Sequence, residues 1–258
     1  MNTLIRPAAT VILMREALDG FEVFMLKRST RSAFGSIYVF PGGTVDSEDS
    51  SKELYKHCEG FNDVKASAML GVKKDGLAYW VACIRECFEE AGILLTNEDD
   101  PLLGDPKRLN YYRDKLNSHE ITFKEICCNE GLRLRANNIV TCAHWVTPTI
   151  EPKRFDTRFF LVKVNTNQLG MHDGFELTDS FWIQPQEALK RLERGEMNMI
   201  MPTINNLTKL CEFSSSKDAF NYFYALGENG ISTILPKFIK KDGEWLGFLP
   251  GEEGYDDI

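Results

Sequence analysis

Apolar residues recur along the chain in two spacings. Ala8 to Met14 and Phe21 to Lys27 are β-rich apolar runs, and Asp19-Gly20 between them is a turn signal, so a hairpin is expected. Ile139 to Thr147 and Arg158 to Val164 read as further strands, and Phe181 to Ile183 as a short one. Helical spacing appears at Leu77 to Ala91, Pro106 to Asn117, Pro185 to Arg194, Pro202 to Phe213 and Lys217 to Leu226. Within Pro106 to Asn117, the second of these segments, a Tyr111, Tyr112, Leu116 stripe reads as core. Thr122 to Glu125 matches a capping box that opens a helix to Asn129, and Gly131 stops it. Asp242-Gly243 between apolar runs signals a hairpin in the tail.

The Leu77 to Ala91 segment carries the chemistry. On a helical wheel of about 100° per residue, Glu86, Glu89 and Glu90 share an arc of roughly 100°. Leu77, Trp80, Ile84, Phe88 and Ala91 fall between about 120° and 200°. One face is expected to be buried and the other to hold a carboxylate cluster, with Gly92 as the stop. Like charges so spaced cost about 0.2–0.5 kcal/mol on an open helix. A hard divalent cation reverses that sign, while a solvated acidic face needs none. The helix alone leaves these readings level.

Val39 to Asp46 shifts the balance. Its Pro41-Gly42-Gly43 follows an apolar run and reads as a strand leaving into a tight loop that something must approach closely. Loop amides facing phosphate oxygens, with carboxylates holding a metal, suit a metal-bound pyrophosphate. With both stretches in view, the chain resembles the Nudix hydrolases. Their box runs G, five residues, E, seven residues, R-E-U-x-E-E-x-G-U, with U a bulky aliphatic. Gly43 matches the glycine, and Arg85, Glu86, Glu89, Glu90, Gly92 and Ile93 match the second half. Asp49 stands at the first glutamate, Cys87 at an aliphatic position, and 35 residues separate Asp49 from Arg85 instead of seven. An interrupted box of this kind resembles the acyl-coenzyme A diphosphatase branch. Phe24 to Ser29, Trp145 to Pro148 and Lys153 to Phe160 extend the likeness.

The resemblance implies an α/β (α+β) Nudix fold, a mixed sheet between helices. Residues 1–211 are expected to form the hydrolase domain, with an insertion at about 50–76, and 212–258 a C-terminal extension of helix and hairpin. Ser50 to Cys58 and Val64 to Met69 are weak helical patterns inside the insertion. Its apolar Leu54, Tyr55, Phe61, Val64, Met69 and Leu70 are too many for a free loop, so a brace folded onto the domain is expected. The implied activity is Mg²⁺- or Mn²⁺-dependent hydrolysis of a nucleoside diphosphate linked to another moiety, coenzyme A and acyl-coenzyme A first. NADH, nucleotide sugars and dinucleoside polyphosphates are the alternative substrates, and a non-catalytic binding protein is a second alternative.

On that reading Glu86, Glu89 and Glu90 are the metal ligands, and Arg85 orients Glu89 across one helical turn. Asp49 is a weaker ligand candidate. Glu176, then Asp179, is the candidate for a further catalytic carboxylate from a loop. Gly42, Gly43, Lys27, Arg28 and Arg31 are candidates for phosphate contact at the loop. Lys153, Arg154 and Arg158 form the densest basic patch, suited to a further phosphate or to pairing with the abundant acids.

Composition narrows the partners. The chain has 258 residues, 43% of them hydrophobic, enough for a full core. Its formal charge of −8 and lack of a long basic run argue against nucleic acid as a partner. Seven cysteines without a C-x-x-C and only four histidines give no support to zinc and fit a reducing compartment. No apolar stretch reaches membrane length, and no signal peptide is visible. An intracellular location is expected. The branch is associated with peroxisomes, but the ending Tyr255-Asp256-Asp257-Ile258 is no S-K-L-like address, which leaves cytoplasm and mitochondrion open.

Overall fold

The computed structural model describes residues 4–28, 37–166, 170–172, 177–241 and 244–258. Strands β1 (Ile5–Glu16) and β2 (Phe21–Arg28) form the expected hairpin, with Met14 opposite Val23. Then come β3 (Tyr38–Val39) and β4 (Gly42–Thr44), which sets Gly43 opposite Ala9 of β1. A 3-10 turn at Ser47–Ser50 leads into α1 (Lys52–Tyr55) and α2 (Asp63–Leu70). Helix α3 (Leu77–Glu86) ends in a π turn at Cys87–Ala91. Helices α4 (Pro106–Asn117) and α5 (Phe123–Glu130) precede β5 (Ile139–Val146), β6 (Arg154–Lys163) and β7 (Leu177–Ile183). The chain closes with α6 (Pro185–Glu193), α7 (Met201–Leu210), α8 (Ser216–Glu228), β8 (Thr233–Ile234), β9 (Lys237–Lys241) and β10 (Glu244–Phe248).

The main sheet runs β3-β2-β1-β6-β5-β8, with β4 beside β1 and β7 beside β2. It is mixed, because β6 lies parallel to β1 while β2 is antiparallel. Alternation along β1 divides the core. Ala9, Val11 and Leu13 face Trp80, Ile84 and Phe88 in one apolar layer. Ile12 and Met14 face Ala188, Leu207 and Phe223 in the other. The sheet thus lies between helical layers, as the resemblance implies. Strand β8 pairs in parallel with β5, so the extension after residue 211 shares the main sheet. Among the described residues no helix is long and apolar enough to cross a membrane.

Four local expectations are corrected. Strand β6 begins at Arg154, four residues early, so Arg154 and Asp156 are strand residues rather than loop. Strand β7 begins at Leu177, which puts Asp179 on a strand opposite Lys27. Tyr111 is 56% exposed, so the α4 core stripe is Tyr112 and Leu116. Helix α3 buries Leu77 through Arg85 on every face, not one. Strands β1 and β4 and helix α2 pack against it, and Tyr112, Leu116, Phe123 and Ile126 of α4 and α5 join the same apolar cluster.

The insertion is a folded brace. Leu54 is 1% exposed, and Phe61 meets the buried Trp80 ring edge-on at 5.1 Å, although Val64 points to solvent. Polar contacts lock α2 to the start of α3. Asp63 accepts from the amides of Asp75 and Leu77 at 3.1 and 2.9 Å, and Ser67 Oγ accepts from Gly76 at 2.9 Å. These bonds satisfy orphan donors at the helix N-terminus. Arg158 Nη1 donates to the Leu70 carbonyl at 2.8 Å, tying the far end of α2 to β6.

Leu54→Ala is expected to cost about 2–5 kcal/mol and to lower turnover with it. Thermal melting and a rate assay check this; unchanged melting would mean that the insertion bears no part of the fold's stability.

Candidate functional site

The Pro41-Gly42-Gly43 loop is lashed to β1. Val11 N–H donates to Pro41 O at 2.8 Å, and Val45 N–H to Pro7 O at 2.9 Å. This brings the loop under the end of α3. A Cβ on Gly42 would lie 2.5 Å from the Ala9 carbonyl, and one on Gly43 would lie 2.3 Å from Glu86 Oε1. Both positions therefore require glycine, and at Gly43 the reason is direct: the Glu86 carboxylate rests on the loop backbone. Gly42 N–H donates to Glu90 Oε2 at 2.8 Å. Arg28 Nη2, at the end of β2, stands 3.9 Å from Glu90 Oε1.

Arg85 is the hub. Its Nε and Nη2 grip both oxygens of Asp49, each at 2.9 Å. Its Nη1 donates to Glu86 Oε1 and Glu89 Oε2, again at 2.9 Å, and Nη2 donates to Thr44 O at 2.9 Å. The expected contact with Glu89 is there. Asp49, at 1% exposure, is not displaced by the insertion; it is the buried partner of Arg85 rather than an open ligand.

Burial opposes the charge of Arg85, but the Asp49, Glu86 and Glu89 carboxylates hold it well above its ordinary value. Burial pushes the Glu86 carboxyl up to about 7 against the pull of Arg85. Burial raises Glu89 as well. Too many carboxylates share one arginine in a dry place, a condition that further positive charge would relieve.

Among the described residues no three His, Cys, Asp or Glu side chains converge as a ready-made cation cage. Arg85 Nη1 bridges Glu86 and Glu89, and Glu90 is turned to Gly42 and Arg28. The donor chemistry nonetheless fits a hard divalent ion. Glu86 Oε2 and Glu89 Oε1 take no hydrogen bond from the described residues, and carboxylate oxygens are what such an ion prefers.

Sequence reasoning missed Arg113. From α4 it donates to the carbonyls of Glu89 at 3.0 Å, Glu90 at 2.8 Å and Met171 at 2.7 Å. It satisfies the end of the π turn and places a cation at the negative pole of the helix. Gly92, at φ +68°, lies so close that a Cβ would be 2.8 Å from Arg113 Nη1. An arginine in an otherwise polar helix gave no sequence signal.

The remaining candidates scatter. Arg158 is buried and spent on Leu70 O and Asp156, so it is not open to a phosphate. Arg154 Nε donates to Thr147 O at 3.0 Å, and Lys153 is exposed. Lys27 lies over the Tyr38 ring, and Asp179 is exposed on β7. Glu176 and Arg31 lie outside the described residues.

The model of the NUDT19 Nudix domain matches residues 3–210. The chain belongs to this Nudix family. It is therefore a Nudix hydrolase, and the matched span includes Arg85, Glu86, Glu89 and Glu90. It is 26% identical to the acyl-coenzyme A diphosphatase NUDT19 of Xenopus laevis, over 92% of this chain and 72% of the relative. A putative nudix hydrolase 7 of Caenorhabditis elegans is 27% identical over 98% of this chain and 75% of its own length. Among solved structures, a NUDIX hydrolase from Alicyclobacillus acidocaldarius superposes with a TM-score of 0.65 at 26% identity, covering 86% of this chain and 97% of that one.

The raised Glu86 carboxyl makes stability pH-dependent. Its protonated form is favoured by folding, so stability is full below the unfolded value and falls as pH rises through about 7. With divalent ions chelated, the melting temperature is expected to drop between about pH 5 and about pH 8. Glu86→Gln, which keeps an oxygen for Arg85, should remove much of that drop. An unchanged pH profile in the variant would show that Glu86 is not the group responsible.

Proposed function

We propose that the protein hydrolyses the diphosphate of coenzyme A and acyl-coenzyme A, giving adenosine 3′,5′-bisphosphate and (acyl-)phosphopantetheine. The observation that carries the reading is the Arg85 constellation, which holds box carboxylates against the Gly42-Gly43 backbone in spite of the insertion. The coenzyme A assignment is supported by the naming of the relatives.

Glu86, Glu89 and Glu90 would hold the divalent ion, Mg²⁺ or Mn²⁺. When bound, it supplies Lewis-acid stabilisation of the phosphoryl charge. Diphosphate hydrolysis otherwise needs positioning and charge more than a protein nucleophile. Arg85 orients Glu86 and Glu89, Gly42 N–H orients Glu90, and Arg113 fixes the backbone from which Glu89 and Glu90 project. Arg28, beside Glu90, offers a planar guanidinium to a diphosphate oxygen. Lys153 and Arg154, not Arg158, are the cations of the basic patch that a second phosphate could meet. Glu176 is the proposed further carboxylate, and Leu177, which follows it, pairs with Arg28.

The test is a panel of coenzyme A, acyl-coenzyme A, NADH, nucleotide sugars and dinucleoside polyphosphates with Mg²⁺ or Mn²⁺, products identified by mass. Coenzyme A compounds should show the highest kcat/KM, and Glu89→Gln should lower kcat by about a hundredfold or more. Faster cleavage of another class would overturn the substrate, and near-normal turnover of Glu89→Gln at saturating metal would overturn the ligand assignment.

A further inference from the structure

Outside the box, one cysteine is paired with a base. Cys83, Cys87, Cys127 and Cys142 are buried, Cys58 and Cys211 are half-buried, and Cys128 on α5 is exposed. Cys128 Sγ lies 3.7 Å from Nε2 of His57, a residue of the insertion. The other ring nitrogen, Nδ1, is 2.8 Å from the Leu132 carbonyl. A carbonyl only accepts, so Nδ1 carries the proton and Nε2 presents its lone pair to the thiol. Nucleophile, base and the group that orients the base are thus in sequence, the arrangement that activates thiols. The charged surroundings suit it. Glu53 is close enough to act electrostatically on both His57 and Lys124, and Lys124 sits one turn before Cys128 on the same helix. The neighbouring thiols are the opposite: burial pushes Cys58 up to about 12 and raises Cys127 further.

We propose that Cys128, with His57 as its base, is a modification site that forms mixed disulfides with small-molecule disulfides. The Cys128 proton passes to His57 Nε2, and the thiolate attacks one sulfur of R–S–S–R. The new Sγ–S bond forms as the S–S bond breaks, and the departing R–S⁻ takes the proton from His57. Cys128 is oxidised and one R–S group is reduced, so no other oxidant is needed. The site joins α5 to the insertion that braces the box helix, so an adduct falls at that joint.

Glutathione disulfide in excess over the native chain is the probe, followed by intact mass and peptide mapping. One glutathione per chain, at Cys128, is expected. His57→Asn keeps a donor for Leu132 O and removes the base, and should slow the reaction by about tenfold at an unchanged melting temperature. A second measurement needs no variant: Cys128 should react faster in the folded chain than in the urea-unfolded one. First labelling of Cys58 or Cys211, an unchanged rate in a folded His57→Asn, or slower reaction of the folded chain would each overturn the proposal.

Discussion

The site depends on one buried guanidinium. Arg85 has five N–H donors, and its five hydrogen bonds go to acceptors that belong to three different pieces of chain. Thr44 O comes from the loop, Asp49 from the turn after it, and Glu86 and Glu89 from the helix end. In an uninterrupted box a short connection sets loop and helix in register. Here the connection is long, and a long loop costs little more to close but specifies geometry poorly. The arginine supplies the missing specification, because a guanidinium fork accepts its partners only in one plane. A buried charge is costly unless its hydrogen bonds are complete, and here they are.

That solution leaves an electrostatic residue. One arginine faces Asp49, Glu86 and Glu89 at close range, and Asp46 stands 3.7 Å away. Burial raises the Glu86 and Glu89 carboxyls against the pull of Arg85, and the neighbouring carboxylates add to the rise. On the proposed metal reading, cation affinity and metal-free instability would be two sides of the same crowding. Arg113 works on the backbone instead, gathering carbonyls where the helix changes to a π turn and stops. Such turns recur at functional sites, and this one sets the directions of Glu89 and Glu90.

The box was legible because it consists of particular residues at particular spacings. The hairpin, the α5 capping box and the bracing insertion were legible from polarity patterns. The wheel does not carry past Glu86, because Cys87–Ala91 is a π turn and a fixed step of about 100° does not apply there. The all-round burial of α3 had a signal, since Leu77 to Ile84 is apolar at every position, and a helix apolar all round is a buried one. The Asp49–Arg85 and Arg113–Glu90 contacts join residues far apart in sequence, and nothing local marks either pair. Arg158 misled for the related reason that a cation's partner, here Leu70 O, cannot be seen from its neighbours in the chain.

The most direct test of the account is a double-mutant cycle on Asp49 and Arg85, read in kcat and in melting temperature. If their bidentate pair holds loop and helix in register, Asp49→Ala and Arg85→Ala each remove most of what the double variant removes, and the effects are far from additive. Additive losses, or an Asp49→Ala variant with full activity, would contradict it.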